Sequence, residues 1–179
     1  PPLKNGATVH SPAMTETPLI RAVSTGGVDA ITFLLQAGCN PNDSLQGGET
    51  ALFIVAREGN ERGFNVLFGF GANVNSKTQF GWTPLMEAIS SGHDELAGIL
   101  LVSGAKANTS DALGNTPLMV AAKGGRAKSV QYLLARKADV KAKNVDGQTA
   151  LMLAVMRSRN MEVISALLGM GADVKETTV

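Results

Sequence analysis

Five times along this chain the same four-residue phrase returns, each time 33 places after the last. The copies are Thr17-Pro18-Leu19-Ile20, Thr50-Ala51-Leu52-Phe53, Thr83-Pro84-Leu85-Met86, Thr116-Pro117-Leu118-Met119 and Thr149-Ala150-Leu151-Met152. A period held without slippage points to a stack of like units in which each contacts only its neighbours, with a core drawn out along an axis. The phrase itself is a helix start. A Thr hydroxyl accepts from an unpaired N–H of the first turn, and Pro at the next position gives up an N–H that has no partner there. Five helices are therefore expected to begin in register.

Between two phrases the pattern reads helix, tight turn, helix, loop. After Thr83, Leu85, Ala88 and Ile89 recur at helical spacing, and Gly92 follows as a C-cap. A second helix is expected from about Asp94 to Ser103, with Leu96, Ile99 and Leu100 on one stripe and Gly104 ending it. The Gly closing the first helix recurs as Gly26, Gly59 and Gly125; that closing the second recurs as Gly38, Gly71 and, shifted, Gly171. Helices of two to three turns do not persist alone in water, so stacking must hold them. Each second Gly is followed by a polar link of about eleven residues. Gly48, Gly81, Gly114 and Gly147 sit two places before the next Thr, where a turn with positive φ needs them. The links read as a row of hairpin-like fingers.

Aromatics make up only 4% of the chain, so Leu, Val, Ile, Met and Ala must fill the interior. A net charge of +1 argues against whole-surface attraction to nucleic acid or membrane. The charge is uneven: up to Asn115 there are six Lys/Arg against ten Asp/Glu, and beyond it ten against five. Lys123, Arg126, Lys128, Arg136, Lys137, Lys141 and Lys143 crowd the fourth copy. We read these charges as solvating the surface and steering a protein partner in preference to nucleic acid, because no aromatics interleave them. The single cysteine, Cys39, cannot form an internal disulfide, so no oxidising compartment is implied, and an intracellular setting is expected: cytoplasm or nucleus, or an organelle interior if the N-terminus is processed. Ala72, Ala105, Ala138 and Ala172 fill its place in the other copies, so a small buried side chain is expected. No apolar run approaches the ~20 residues of a membrane span. With only His10 and His93, no phosphate loop and no zinc-type spacing, the residues argue against an enzyme, a cofactor or a metal.

Helix, turn, helix, projecting hairpin and a period of 33 come with Gly-x-Thr-Pro-Leu, as at Gly81 to Leu85, and Leu-Leu-x-x-Gly-Ala, as at Leu100 to Ala105. On these motifs the chain resembles the ankyrin repeat family over nearly its whole length. The resemblance implies an all-α repeat solenoid: five stacked, L-shaped ankyrin-type helix-turn-helix units, with β-hairpin-like loops projecting to form a concave face. That domain is expected over residues 17–179, preceded by a segment, 1–16, whose Gly6-Ala7-Thr8-Val9 echoes Gly71-Ala72-Asn73-Val74 and so reads as the remnant of an earlier repeat or cap. The chain opens on Pro1, which reads as processed or cut from something longer.

Several places depart from the family pattern. The usual His after Thr-Pro-Leu is replaced by Ile20, Phe53, Met86, Met119 and Met152, so apolar packing is expected there. Thr15 stands where the first turn Gly belongs, which spoils the first hairpin. The last copy has Ser158 in place of the helix-closing Gly and one extra residue before Leu167-Leu168, predicting a bulged or lengthened turn between Arg157 and Glu162. In the second copy Gly63 and Gly69 soften the second helix by up to about 1 kcal/mol each, offset by Phe64 and Phe68 at core positions, while Phe70 points outward.

By the family's pattern, partners are met by the hairpin tip, the residue before Thr, and those seven and eight after it. These are Glu49, Arg57 and Glu58; Gln79, Phe80, Trp82, Ser90 and Ser91; Leu113, Asn115, Lys123 and Gly124; Gln148, Met156 and Arg157. Phe80 and Trp82, large rings among polar neighbours, have the composition of an interface hot spot, with bracing of a neighbouring finger as the alternative. The C-terminal Glu176-Thr177-Thr178-Val179 is similar to a ligand for PDZ domains. The reading favoured is a non-catalytic module that binds another protein through its concave face. Two others stay open: a constitutive subunit of a larger assembly, and the regulatory ankyrin arm of a longer enzyme or channel.

Overall fold

The computed structural model describes residues 17–25 and 27–175. The expectations placed on residues 1–16, on Gly26 and on the terminal Glu176-Thr177-Thr178-Val179 lie outside them.

Every Thr phrase opens a helix. The first helices of the successive pairs are α1 (Pro18–Ser24), α3 (Ala51–Glu58), α5 (Pro84–Ser91), α7 (Pro117–Gly124) and α9 (Ala150–Leu153). The second helices are α2 (Val28–Gln36), α4 (Glu61–Gly69), α6 (Asp94–Val102), α8 (Ala127–Ala135) and α10 (Met161–Gly169). Each first helix packs on its own second helix and on the first helix of the next pair, the arrangement of an α solenoid. One continuous cluster of buried side chains runs from Leu19 to Ala172. No stretch is long enough to stand without it.

The caps follow the sequence with one exception. The hydroxyls of Thr17, Thr83, Thr116 and Thr149 accept from the N–H three residues on, at 3.2 to 3.4 Å. Thr50 is extended in the same way but makes no side-chain cap; the Phe53 N–H instead donates to its main-chain carbonyl at 3.0 Å. Where the family's His is usual, Ile20, Phe53, Met86 and Met119 are fully buried, while Met152 in the last copy is half-buried. Cys39 and its four alanine counterparts are all buried.

The second copy corrects the expectation for Phe68. Phe64 is buried, but Phe68 remains 43% exposed, lying flat against Phe64 with ring centroids 5.6 Å apart and planes 11° off parallel. Gly63 is no defect. It is buried where a Cβ would stand 2.9 Å from Asn60 Nδ2 and 3.2 Å from Val55 Cγ2, so the absent side chain lets α4 close on α3.

The extra residue of the last copy is absorbed in the helix itself, in a segment that begins upstream of the expected stretch and overlaps it at Arg157 and Ser158. α9 runs into a single π-helical segment, Ala154–Ser158, and Arg159 takes the left-handed conformation that Gly59, Gly92 and Gly125 hold in earlier copies. Both sides of this segment are fixed. Thr149 caps its start, and Asn160 at its end caps α10 by accepting from Glu162 and Val163 N–H while donating to the Gly125 carbonyl at 3.1 Å. A surplus residue between two fixed ends widens the helix by one turn of π geometry.

Neighbouring copies are joined by two recurrent locks. Asn42 accepts from the Asn73 N–H and donates to the Gly71 carbonyl; Asn75 does the same with Lys106 and Gly104, and Asn108 with Asp139 and Lys137, all at 2.8 to 3.1 Å. At the other end of each pair, His93, Arg126 and Asn160 lie across Gly59, Gly92 and Gly125 of the copy before.

Candidate functional site

The fingers are built from main-chain hydrogen bonds. In the third, Thr78 N–H donates to the Trp82 carbonyl at 3.0 Å and Gly81 N–H to the Thr78 carbonyl at 2.9 Å. The same pair of bonds recurs at Leu45 and Glu49, at Asp111 and Asn115, and at Asn144 and Gln148. Gly81 needs to be glycine twice over: its φ is +75, and a Cβ would stand 3.1 Å from the Asp111 Cα of the next finger. Successive fingers are also tied tip to tip, Gln79 N–H to Gly47 carbonyl, Ala112 to Phe80 and Val145 to Leu113, at 2.8 to 2.9 Å. Strand pairing is scarcer than a hairpin row suggests. Among the described residues there is one isolated bridge, Ser44 with Thr50, and no named strand.

This scaffold points apolar side chains outward from three consecutive tips. Phe80 is 67% exposed, Leu113 59% and Val145 67%. The first two were expected from the sequence. Val145 stands one place off their register and was missed; its signal was an apolar residue amid the polar run from Lys141 to Gln148.

Beneath the tips the expected residues divide into two groups. Arg57 donates from Nη2 to Glu49 Oε1 at 3.0 Å and from Nε to Glu87 Oε1 at 2.7 Å, and the Trp82 indole N–H donates to Glu87 Oε2 at 2.8 Å. The hydrogen bond that Arg57 donates to Glu87, with the charges of Glu87 and Glu49, holds the Arg57 pKa above its ordinary value despite partial burial. Two of the expected residues, Arg57 and Trp82, thus converge on Glu87, which the sequence did not single out, and Glu49 joins them through Arg57. Trp82 is half-buried.

The second group lines a groove of about 490 Å³ between the fingers and the first helices of the last three copies. It gathers Trp82, Ser90, Leu113, Asn115, Lys123, Gln148 and Arg157, with Val120, Leu153, Asn144 and Asp146. Asn115 and Gln148 are engaged within the fingers: Asn115 Nδ2 donates to Asp111 Oδ2 at 3.0 Å, and Gln148 Oε1 lies 3.3 Å from Asn144 Nδ2. The groove does not include Glu49, Arg57, Glu58, Gln79, Phe80, Ser91 or Met156. Met156 lines a smaller apolar groove at the C-terminal end of the stack, with Met152, Val155, Ile164, Leu168 and Val174.

A family model for ankyrin repeats matches the chain in three overlapping copies, over residues 19–111, 52–144 and 100–178. The chain belongs to the ankyrin repeat family. Ankyrin repeats are in general protein–protein interaction modules and are typically non-catalytic. No match was found among curated proteins. In this ankyrin chain His93 follows the helix-closing Gly92, and its Nε2 lies 2.9 Å from the Arg57 carbonyl oxygen. No helix among the described residues is long and apolar enough to cross a membrane.

Proposed function

We propose that this ankyrin protein is a non-catalytic binding module of five stacked units that engages a partner protein through the concave face formed by its fingers and first helices. The observation that carries this reading is the convergence of eight of the fifteen expected contact residues, Gly124 among them, on one groove, below a row of exposed apolar tips. A clustered apolar anchor with a polar surround is the usual composition of an interface hot spot. Replacing Phe80 and Leu113 together by Ala, at positions too exposed to hold the fold, is the direct test. Capture of partners from an extract of the source cells should fall at least about tenfold while helical circular dichroism is unchanged. Undiminished capture would refute the reading.

A second reading, a constitutive subunit of a larger assembly, draws on the C-terminal end face. Val155 is 51% exposed there, whereas Ala121, Ala88 and Val55, each likewise four places before the left-handed residue that closes its helix, are fully buried. Size-exclusion of a native extract separates the two readings, since a permanent subunit elutes only with its particle.

A further inference from the structure

The π-helical segment changes which side chain faces the groove. Counted from the Thr that opens each first helix, the residue matching Lys123 in the last copy is Met156. Counted back from the left-handed residue that closes the helix, Gly125 in one copy and Arg159 in the other, it is Arg157. The side chains follow the second count. Arg157 lines the groove with Lys123, and Met156 lies on the end face. One inserted residue has exchanged an apolar side chain for a cation.

The two cations are also unengaged. Both are exposed, and neither makes an ion pair or side-chain hydrogen bond among the described residues. Arg57, at the corresponding place in the second copy, shows the contrast, because its guanidinium is held between Glu49 and Glu87. Asp146 is the one carboxylate lining the groove. Around the cations stand apolar surfaces of Trp82, Leu113, Val120 and Leu153. The surrounding chain, from residue 116 onward, carries ten Lys/Arg against five Asp/Glu, a field that draws in an acidic partner.

We propose that the groove takes an acidic segment of a partner protein, seating an apolar side chain against Trp82 and Leu113 and carboxylates against Lys123 and Arg157, and that the π insertion is what aims Arg157 there. The proposal rests on the concave-face reading above and names the chemistry of its ligand. A nucleic acid fits less well. Two cations beside the carboxylate of Asp146 make no track for a phosphate backbone, and one indole is no row of rings on which successive bases could stack.

The test is a random peptide display library panned on the whole chain, followed by fluorescence anisotropy with the enriched peptides. Enriched peptides should pair Asp or Glu with a large apolar residue. The double reversal Lys123→Glu with Arg157→Glu should weaken them about tenfold at low salt, less at high salt where exposed charges are screened. Two single-residue deletions isolate the insertion, since each restores an eight-residue first helix. Deleting Ser158 returns Met156 to the groove register and should weaken binding as Arg157→Ala does; deleting Met156 leaves Arg157 in that register and should not. Equal losses from both deletions, in chains of unchanged helical content, overturn the role of the insertion. Peptides that are neutral or basic yet lost on Phe80→Ala with Leu113→Ala overturn the acidic ligand and leave the concave-face reading standing. Peptides indifferent to every one of these changes overturn both. A library that enriches nothing, or a labelled 20-mer single-stranded DNA that binds more tightly than any peptide and depends on Lys123 and Arg157, also overturns the proposal.

Discussion

The His93 imidazole lies flat across Gly59 of the preceding unit, so near that a Cβ there would collide with the ring, coming within 2.7 Å of its Cγ and Cε1. Its Nε2 donates to the Arg57 carbonyl at 2.9 Å, a bond that requires the proton on that nitrogen. Gly59 itself has a φ of +68. Gly59→Ala therefore carries two costs, the left-handed backbone at about 1 kcal/mol and the collision at about 1 to 2 kcal/mol more. In a His93→Ala background only the first should remain. Urea unfolding of the four chains measures the difference, and an equal cost in both backgrounds would show that the ring imposes nothing on the glycine.

The two glycines inside α4 should respond oppositely to alanine. At Gly69 a Cβ would meet nothing within 4 Å, so Gly69→Ala gains helix propensity and should stabilise by about 0.5 to 1 kcal/mol. At Gly63 the Asn60 cap and the Val55 side chain stand in the way, and the strain should cancel or exceed the gain. Thermal melts of the two variants give the comparison. Stabilisation by Gly63→Ala matching that of Gly69→Ala would mean that α3 and α4 are not held as close as they lie.

Trp82 is the chain's one tryptophan, so intrinsic emission reports on that residue alone. Glu87→Ala removes the acceptor of its indole N–H and of Arg57 Nε together. The expected outcome is a red shift of emission as the ring gains water, with a loss of about 1 to 3 kcal/mol in stability. Glu87→Gln, which keeps an acceptor but no charge, should fall between the two. Emission unchanged in Glu87→Ala would show that packing alone holds the ring.

Much of this architecture was legible because it is written locally. Thr83 and Gly92 mark helix ends by capping chemistry that needs no knowledge of neighbours, and Gly81 marks a turn that few other residues could make. What escaped the sequence depends on contacts between units. Phe68 falls in a core register yet lies against Phe64 and stays half-exposed, and Glu87 looks like one more surface acid until Arg57 and Trp82 are brought to it. The insertion in the last copy was visible, but its place was not, since the caps at Thr149 and Asn160 decide where surplus chain is taken up. Asn42, Asn75 and Asn108 recur at the repeat interval and were there to be read as inter-unit locks.

Cys39 should be slow to react in the folded chain. Burial first, and the charge of Asp43 second, raise its thiol above the ordinary value, so the thiolate is scarcer at pH 7 than in the unfolded chain. The native state prefers the protonated thiol. This contribution to stability is intact below the unfolded thiol's pKa and is lost as pH climbs through the raised one. An aromatic disulfide reagent should label one thiol per chain in urea and label it far more slowly without urea. Cys39→Ala, which installs the residue of the other four copies, should alter stability by no more than about 1 kcal/mol. Rapid labelling of the native chain would show that this site opens to solvent.

At both kinds of lock the receiving side is peptide backbone or a bare glycine: Asn75 grips the main chain of Gly104 and Lys106, and His93 rests on Gly59. A junction that asks so little of the side chains on its receiving side tolerates reshuffling. Cutting out a whole 33-residue block would present the upstream Asn and the downstream roofing residue with the same backbone groups they meet now. Such a protein can lengthen, shorten or exchange its row of fingers by whole blocks without redesigning its joints.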